Sequence, residues 1–180
     1  CEVPLTADSL VRALLSLSPE RRVSILDSCG ARGPSARFLI AGFDPVEIIE
    51  ARESELQIAL RDEDSERVTN VDVLDALDER LAEYRVPYLL PEHLPAAGAC
   101  IATFSYELVH RLERLRLKSA PRISDEPDAV LAFYDTLVIH DYRRRITQIV
   151  TVGDPQRLNE TSETLAEALA STVENCDATP

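Results

Sequence analysis

Residues 22–60 constrain the fold more than any other part of the chain. They hold four short β-type runs, at 22–28, 37–42, 46–52 and 55–60. Each run is too short to be a self-sufficient helix, and each is closed by turn formers: Cys29-Gly30 through Pro34, then Asp44-Pro45, then Asp62-Glu63-Asp64. Tight turns between short strands favour antiparallel pairing, because parallel neighbours need a long crossover.

Helical signals bracket these strands. Thr6-Ala7-Asp8-Ser9 precedes Leu10, Val11, Leu14 and Leu15, which predicts a capped helix over about 7–17, stopped by Pro19. Asn70 is a candidate cap for a second helix carrying Leu74, Leu77, Leu81 and Tyr84. Pro87, Pro91 and Pro95 then open a loop. Residues 99–108 read as a buried strand, and 131–141 with 145–152 as a hairpin turning at Tyr142–Arg144. Gly153-Asp154-Pro155 stops it, and Leu165, Leu169 and Val173 mark a final helix over 160–175. The expected class is α+β, antiparallel sheet packed with outer helices. The expected domain is 1–158, as two halves of one core (1–86 and 96–158), followed by a helix and linker at 159–180.

Composition narrows function by exclusion. A net charge of −13 over 180 residues opposes nucleic acid, which needs a basic face, and opposes anionic membrane. The apolar runs are too short to cross a bilayer. Cysteines at 1, 29, 100 and 176 form no CxxC or zinc spacing, and so sparse a set fits a reducing cytoplasm. His93, His110 and His140 form no metal motif; His140, in an apolar strand, reads as a partnered structural histidine. Ser28 lacks a GxSxG elbow, and no glycine-rich phosphate loop is present. No catalytic residue and no metal ligand is assigned.

Asp27-Ser28 at the end of the first run and Arg37 at the start of the second are the candidate binding residues. A strand-end turn explains an acid and a hydroxyl there cheaply, and a small-ligand site explains them better. Arg37 suits that site, and equally an ion pair with Asp44.

ILDS at 25–28 followed by ARFLIAGFDP at 36–45 resembles the N-terminal region of component I of the chorismate-utilising synthases, aminodeoxychorismate synthase and anthranilate synthase. Leu26 and Ser28 match its LLES-like segment, with Ile25 and Asp27 as conservative changes; Arg37, Gly42, Asp44 and Pro45 match the next one. Gly98, Ser105 and Tyr106, with Glu107 close, resemble a third block, from which Ala99, Ala102 and Thr103 depart. Glu113, Pro127-Asp128, Tyr134-Asp135-Thr136 and Asp141 continue the likeness, which covers about residues 22–152.

The resemblance implies a pocket for an aromatic amino acid such as tryptophan at Asp27, Ser28 and Arg37. It implies the non-catalytic part of an enzyme whose magnesium-dependent chemistry lies in a C-terminal chorismate-binding domain, with no cofactor in this chain. A glutamine amidotransferase subunit is the implied ammonia-supplying partner. Aminodeoxychorismate synthase, in para-aminobenzoate and folate synthesis, is the nearer member. Anthranilate synthase, in tryptophan synthesis, and a stand-alone aromatic-metabolite binding module are the alternatives.

Overall fold

The computed structural model describes residues 1–30, 36–63, 65–69, 72–85, 90–108 and 126–177, without the side chains of 107 and 172–177. Helix α1 (Ala7–Ser16) starts where the Thr6 hydroxyl accepts from the Ser9 amide, satisfying one of the donors a helix start leaves free. Its Leu10, Ala13 and Leu14 are buried. A short 3-10 turn at Pro19–Arg21 follows.

Strands β1 (Glu2–Val3), β2 (Ser24–Asp27), β3 (Phe38–Gly42), β9 (Thr136–Asp141) and β10 (Ile146–Thr151) form one antiparallel sheet, in the order β1-β10-β9-β3-β2. Strands β4 (Glu47–Arg52), β5 (Glu55–Leu60), β6 (Glu66–Thr69), β7 (Ala99–Phe104) and β8 (Ala129–Tyr134) form the second, in the order β6-β5-β4-β8-β7. Among the described residues, helix α2 (Val73–Glu83) and helix α3 (Gln156–Asp177) join α1 and the two sheets in an α+β fold.

The chain divides into two compact units that interleave along the sequence. The first takes Cys1–Pro45, Leu89–Ala99 and Tyr134–Pro180; the second takes Val46–Tyr88 and Cys100–Phe133. Each therefore draws on chain from both sides of the proline loop. The first core gathers Leu10, Leu14, Leu39, Ala41, Val138 and Ile149 with Leu165 and Ala168 of α3. The helix expected to trail the domain thus seals this core. The second core gathers Ile49, Ala51, Leu56, Ile58, Val73, Ala76, Leu131 and Phe133.

Several expectations need correction. The α2 cap is Asp72, whose carboxylate accepts from the Leu74 amide; Asn70 lies outside the described residues. The run 131–141 is two strands in different sheets, parted at Asp135, a residue type that fits a pleated surface poorly. Residues 99–108 are not a buried strand: β7 is an edge strand with Phe104 exposed, followed by a 3-10 turn at Tyr106–Leu108. Strand β6 was not expected. It is short, charged and on an edge, where apolar alternation is not required. Strands β9 and β10 do form a hairpin, with Asp141 opposite Ile146 and Thr136 opposite Thr151, so its loop takes in Arg145 as well.

Candidate functional site

Within the first unit, residues from separated motif blocks converge on Tyr134. Its ring lies on Gly42, where a Cβ would sit 2.6 Å from ring carbons; only glycine lets the strand approach so closely. Gly98, at φ +83, packs its α-carbon against the Tyr134 carbonyl, 3.2 Å from where a Cβ would stand. The Tyr134 hydroxyl donates to the Arg22 carbonyl at 2.7 Å. Its single proton is thereby engaged, so the Ser24 hydroxyl, 2.8 Å away, is the donor to Tyr134. Gly42, Gly98 and Tyr134 were legible as motif residues; Ser24 and Arg22 carried no sequence signal.

The three candidate binding residues lie near one another at the β2–β3 end of the first sheet. Asp27 closes β2 and is exposed. Its Oδ1 accepts from the Cys29 amide and from the Tyr142 hydroxyl, both at 2.7 Å. Cys29 and Gly30 both take left-handed conformations, φ +54 and +57, and the turn folds back against the Tyr142 ring. The Ser28 hydroxyl donates to the Phe38 carbonyl at 2.9 Å, and its amide reaches the same oxygen at 3.3 Å.

Arg37 is engaged by Asp141, through Nε at 3.1 Å and Nη2 at 2.6 Å to Oδ2. The alternative pairing with Asp44 is overturned: Asp44 binds Arg21 at 2.9 Å. The guanidinium of Arg37 also stands 4.7 Å over the Phe38 ring. Asp141 uses its other oxygen to receive the amides of Arg143 and Arg144, at 2.9 and 3.2 Å, which shapes the hairpin turn.

Protonation follows from these contacts. Burial pushes the Asp141 carboxyl up. The opposing hydrogen bonds from Arg37 and from the Arg144 and Arg143 amides together outweigh it and hold the group below the ordinary carboxylate range. Burial first, and the bond to Asp27 second, push the Tyr142 phenol far above its usual range. His140 is lowered by burial, against the raising influence of Asp141 and Asp27. Its Nδ1 lies 2.8 Å from the Thr147 hydroxyl, which itself donates to the Leu5 carbonyl. His140 must therefore donate from Nδ1, a partnered structural role. His93 is exposed, and His110 lies outside the described residues.

These groups hold charge and hydrogen bonds in place. Two phenols, an imidazole and a paired carboxylate stand with their partners. Among the described residues no three His, Cys, Asp or Glu gather to hold a metal ion, and no helix is long and apolar enough to cross a membrane.

No protein-family model matches the chain. Among curated proteins it is 29% identical over 140 residues to anthranilate synthase component 1 of Synechocystis, a match covering 78% of this chain and 27% of that protein. It is also 29% identical over 97 residues to aminodeoxychorismate synthase component 1 of Klebsiella aerogenes, covering 54% of this chain and 21% of that protein. The chain thus spans between a fifth and a third of the length of these relatives. Among solved structures, anthranilate synthase component I of Streptococcus pneumoniae covers 100% of this chain with 38% of its own, at TM-score 0.50 and 19% identity, a likeness of fold.

Proposed function

We propose that this chain, which belongs with the N-terminal domain of component I of the chorismate-utilising synthases, serves as the non-catalytic scaffold of such an enzyme. The observation that supports this reading most directly is the convergence on Tyr134. Gly42, Gly98 and Tyr134 come from three separate motif blocks, and the structure uses them to lock backbone rather than to present reactive groups. Chorismate chemistry, with magnesium and with ammonia from a glutamine amidotransferase partner, then belongs to a catalytic domain beyond these residues. The nearer member is aminodeoxychorismate synthase, supported by the ILDS and FYDT versions of the motifs; both family members stand among the relatives.

Assay of the 180 residues with chorismate, magnesium and ammonium tests the division of labour. No turnover is expected, and measurable product overturns the scaffold reading. The same assay on the full reading frame separates the members: anthranilate, seen by its fluorescence, identifies one and aminodeoxychorismate the other.

A finer reading places an aromatic amino acid against Asp27 and Ser28. Its support is the exposure of Asp27, whose Oδ2, 3.7 Å from the Cys29 thiol, leaves an acceptor for a ligand ammonium. Arg37, committed to Asp141, acts in this reading as the anchor of the segment and not as a carboxylate clamp. Calorimetry with tryptophan is expected to give binding that Asp27→Ala abolishes. The absence of heat with any aromatic amino acid removes the pocket while leaving the scaffold role intact.

A further inference from the structure

The second unit contains a buried charge that the scaffold role does not use. Glu47 opens β4 and is 1% exposed. Neither of its carboxylate oxygens accepts an aligned hydrogen bond. Its charge partner is Arg80 of α2, with Nε 3.2 Å from Oε1. Arg80 is itself a third exposed and shares its guanidinium with Glu83 at 2.7 Å. A carboxylate removed from water, with only the Tyr84 hydroxyl and a shared, misaligned arginine beside it, is held at a cost that these contacts offset only in part.

Helix α2 is attached unevenly, with Leu74 and Leu77 packed part-buried against the second core. It buries Val73 and Ala76 in its first turns, small side chains set against Ile49, Ile58, Leu131 and Phe133. Its later turns leave Leu81 and Tyr84 about half exposed. There the helix is held by the Arg80–Glu47 contact and by Tyr84 stacked on Phe133, ring centres 4.9 Å apart. Burial first and the Glu47 carboxylate second push the Tyr84 phenol up to about 12, so this tyrosine remains a neutral contact at any ordinary pH.

We propose that the C-terminal half of α2, from Arg80 to Tyr84, is a strap that lifts from the second sheet as a local event, driven by hydration of Glu47. The strap pivots on the anchored turns at Val73 and Ala76. Lifting returns both Glu47 oxygens to water and uncovers Phe133. Closing trades that hydration for the aromatic stack and the ion pair. The inference concerns the second unit alone and stands whether or not the proposed enzyme assignment holds.

Amide hydrogen exchange on the intact protein, read at 78–84, tests the strap. Leucine has nearly the helix propensity of arginine, so changes at 80 report the contact and not the helix. Arg80→Leu leaves the carboxylate without its cation and is expected to lower strap protection at least 30-fold, with α1 and α3 unchanged. The double variant Glu47→Leu/Arg80→Leu removes the buried charge and is expected to raise protection at least 5-fold above the wild type. Glu47→Gln, which keeps size and removes charge, is expected to move protection the same way. Loss of protection in both charge-removing variants, or exchange of 78–84 only through global unfolding, overturns the proposal. Protection of α1 and α3 shows in the same spectra that each variant is folded.

Discussion

Two carboxylate–arginine pairs among the described residues, one in each unit, have a buried acid and are built in opposite ways. Asp141 gives one oxygen to Arg37 and the other to two turn amides, so its charge is fully partnered. Glu47 is buried more deeply, yet meets its arginine without an aligned hydrogen bond. The difference is one of backbone. Asp141 sits at the mouth of a tight hairpin, where successive amides point inward at a carboxylate. Glu47 sits on a central strand, between β5 and β8, whose amides serve the sheet. A buried carboxylate is supported where a turn supplies donors and is frustrated where the ladder has already taken them.

The largest expected effect follows from removing the supported charge. Asp141→Ala removes the acceptor of two turn amides and of Arg37 together, and is expected to give a large drop in the chemical-denaturation midpoint. A loss below about 1 kcal/mol would mean that water replaces the carboxylate freely, and the two sites would then differ little. The pH dependence carries the same sign. The folded-state pKa of Asp141 lies below its unfolded value, so its contribution is complete above about pH 4 and is lost as acid titrates the folded carboxyl. Asp141→Asn is expected to flatten the decline of stability below pH 4, measured as unfolding midpoints from pH 5 to 2.

Next in size is the packing that accompanies the supported pair in the same unit. Gly42→Ala drives a methyl group to 2.6 Å from the Tyr134 ring and is expected to cost about 2 kcal/mol, the scale of overpacking in a filled site. Tyr134→Phe keeps the ring and loses the bonds to Arg22 and Ser24, for about 1 kcal/mol. Were the two changes additive when combined, the close contact of ring and glycine would be in doubt; contacting residues couple.

How much of this was legible in the sequence depends on distance along the chain. Helix α1 and strands β3 to β5 and β10 follow local patterns, and each lies within two residues of its expected place, because caps, alternation and turn residues act over a few positions. The break at Asp135 did not announce itself, since β8 and β9 are apolar alike and only tertiary pairing assigns them to separate sheets. At the site, Asp27, Ser28 and Arg37 are singled out by residue type and motif position, while their partners carry no local signal. Arg37 meets Asp141 across 104 residues, and Asp27 meets Tyr142 across 115. Of the two alternatives open for Arg37, the ion pair with Asp44 fails because the fold turns Asp44 toward Arg21. Glu47 read as one more acid in an acidic chain, for nothing in its neighbours signals that position 47 points inward.

The smallest expected effect is the one that separates the two sites most cleanly. Glu47→Gln makes the same chemical change as Asp141→Asn, an oxygen replaced by an amide group. At position 141 that change removes a charge the surroundings are arranged to hold, and stability falls. At position 47 it removes a charge that lacks aligned donors, while Arg80 keeps Glu83 and partial access to water. The gain from no longer desolvating an anion and the loss of the ion pair nearly cancel, so stability is expected to stay within about 0.5 kcal/mol of the wild type. A loss near 3 kcal/mol at position 47 would show that Arg80 alone compensates the buried carboxylate. Hydrogen-bond alignment would then not be what divides a supported buried charge from a frustrated one in this fold.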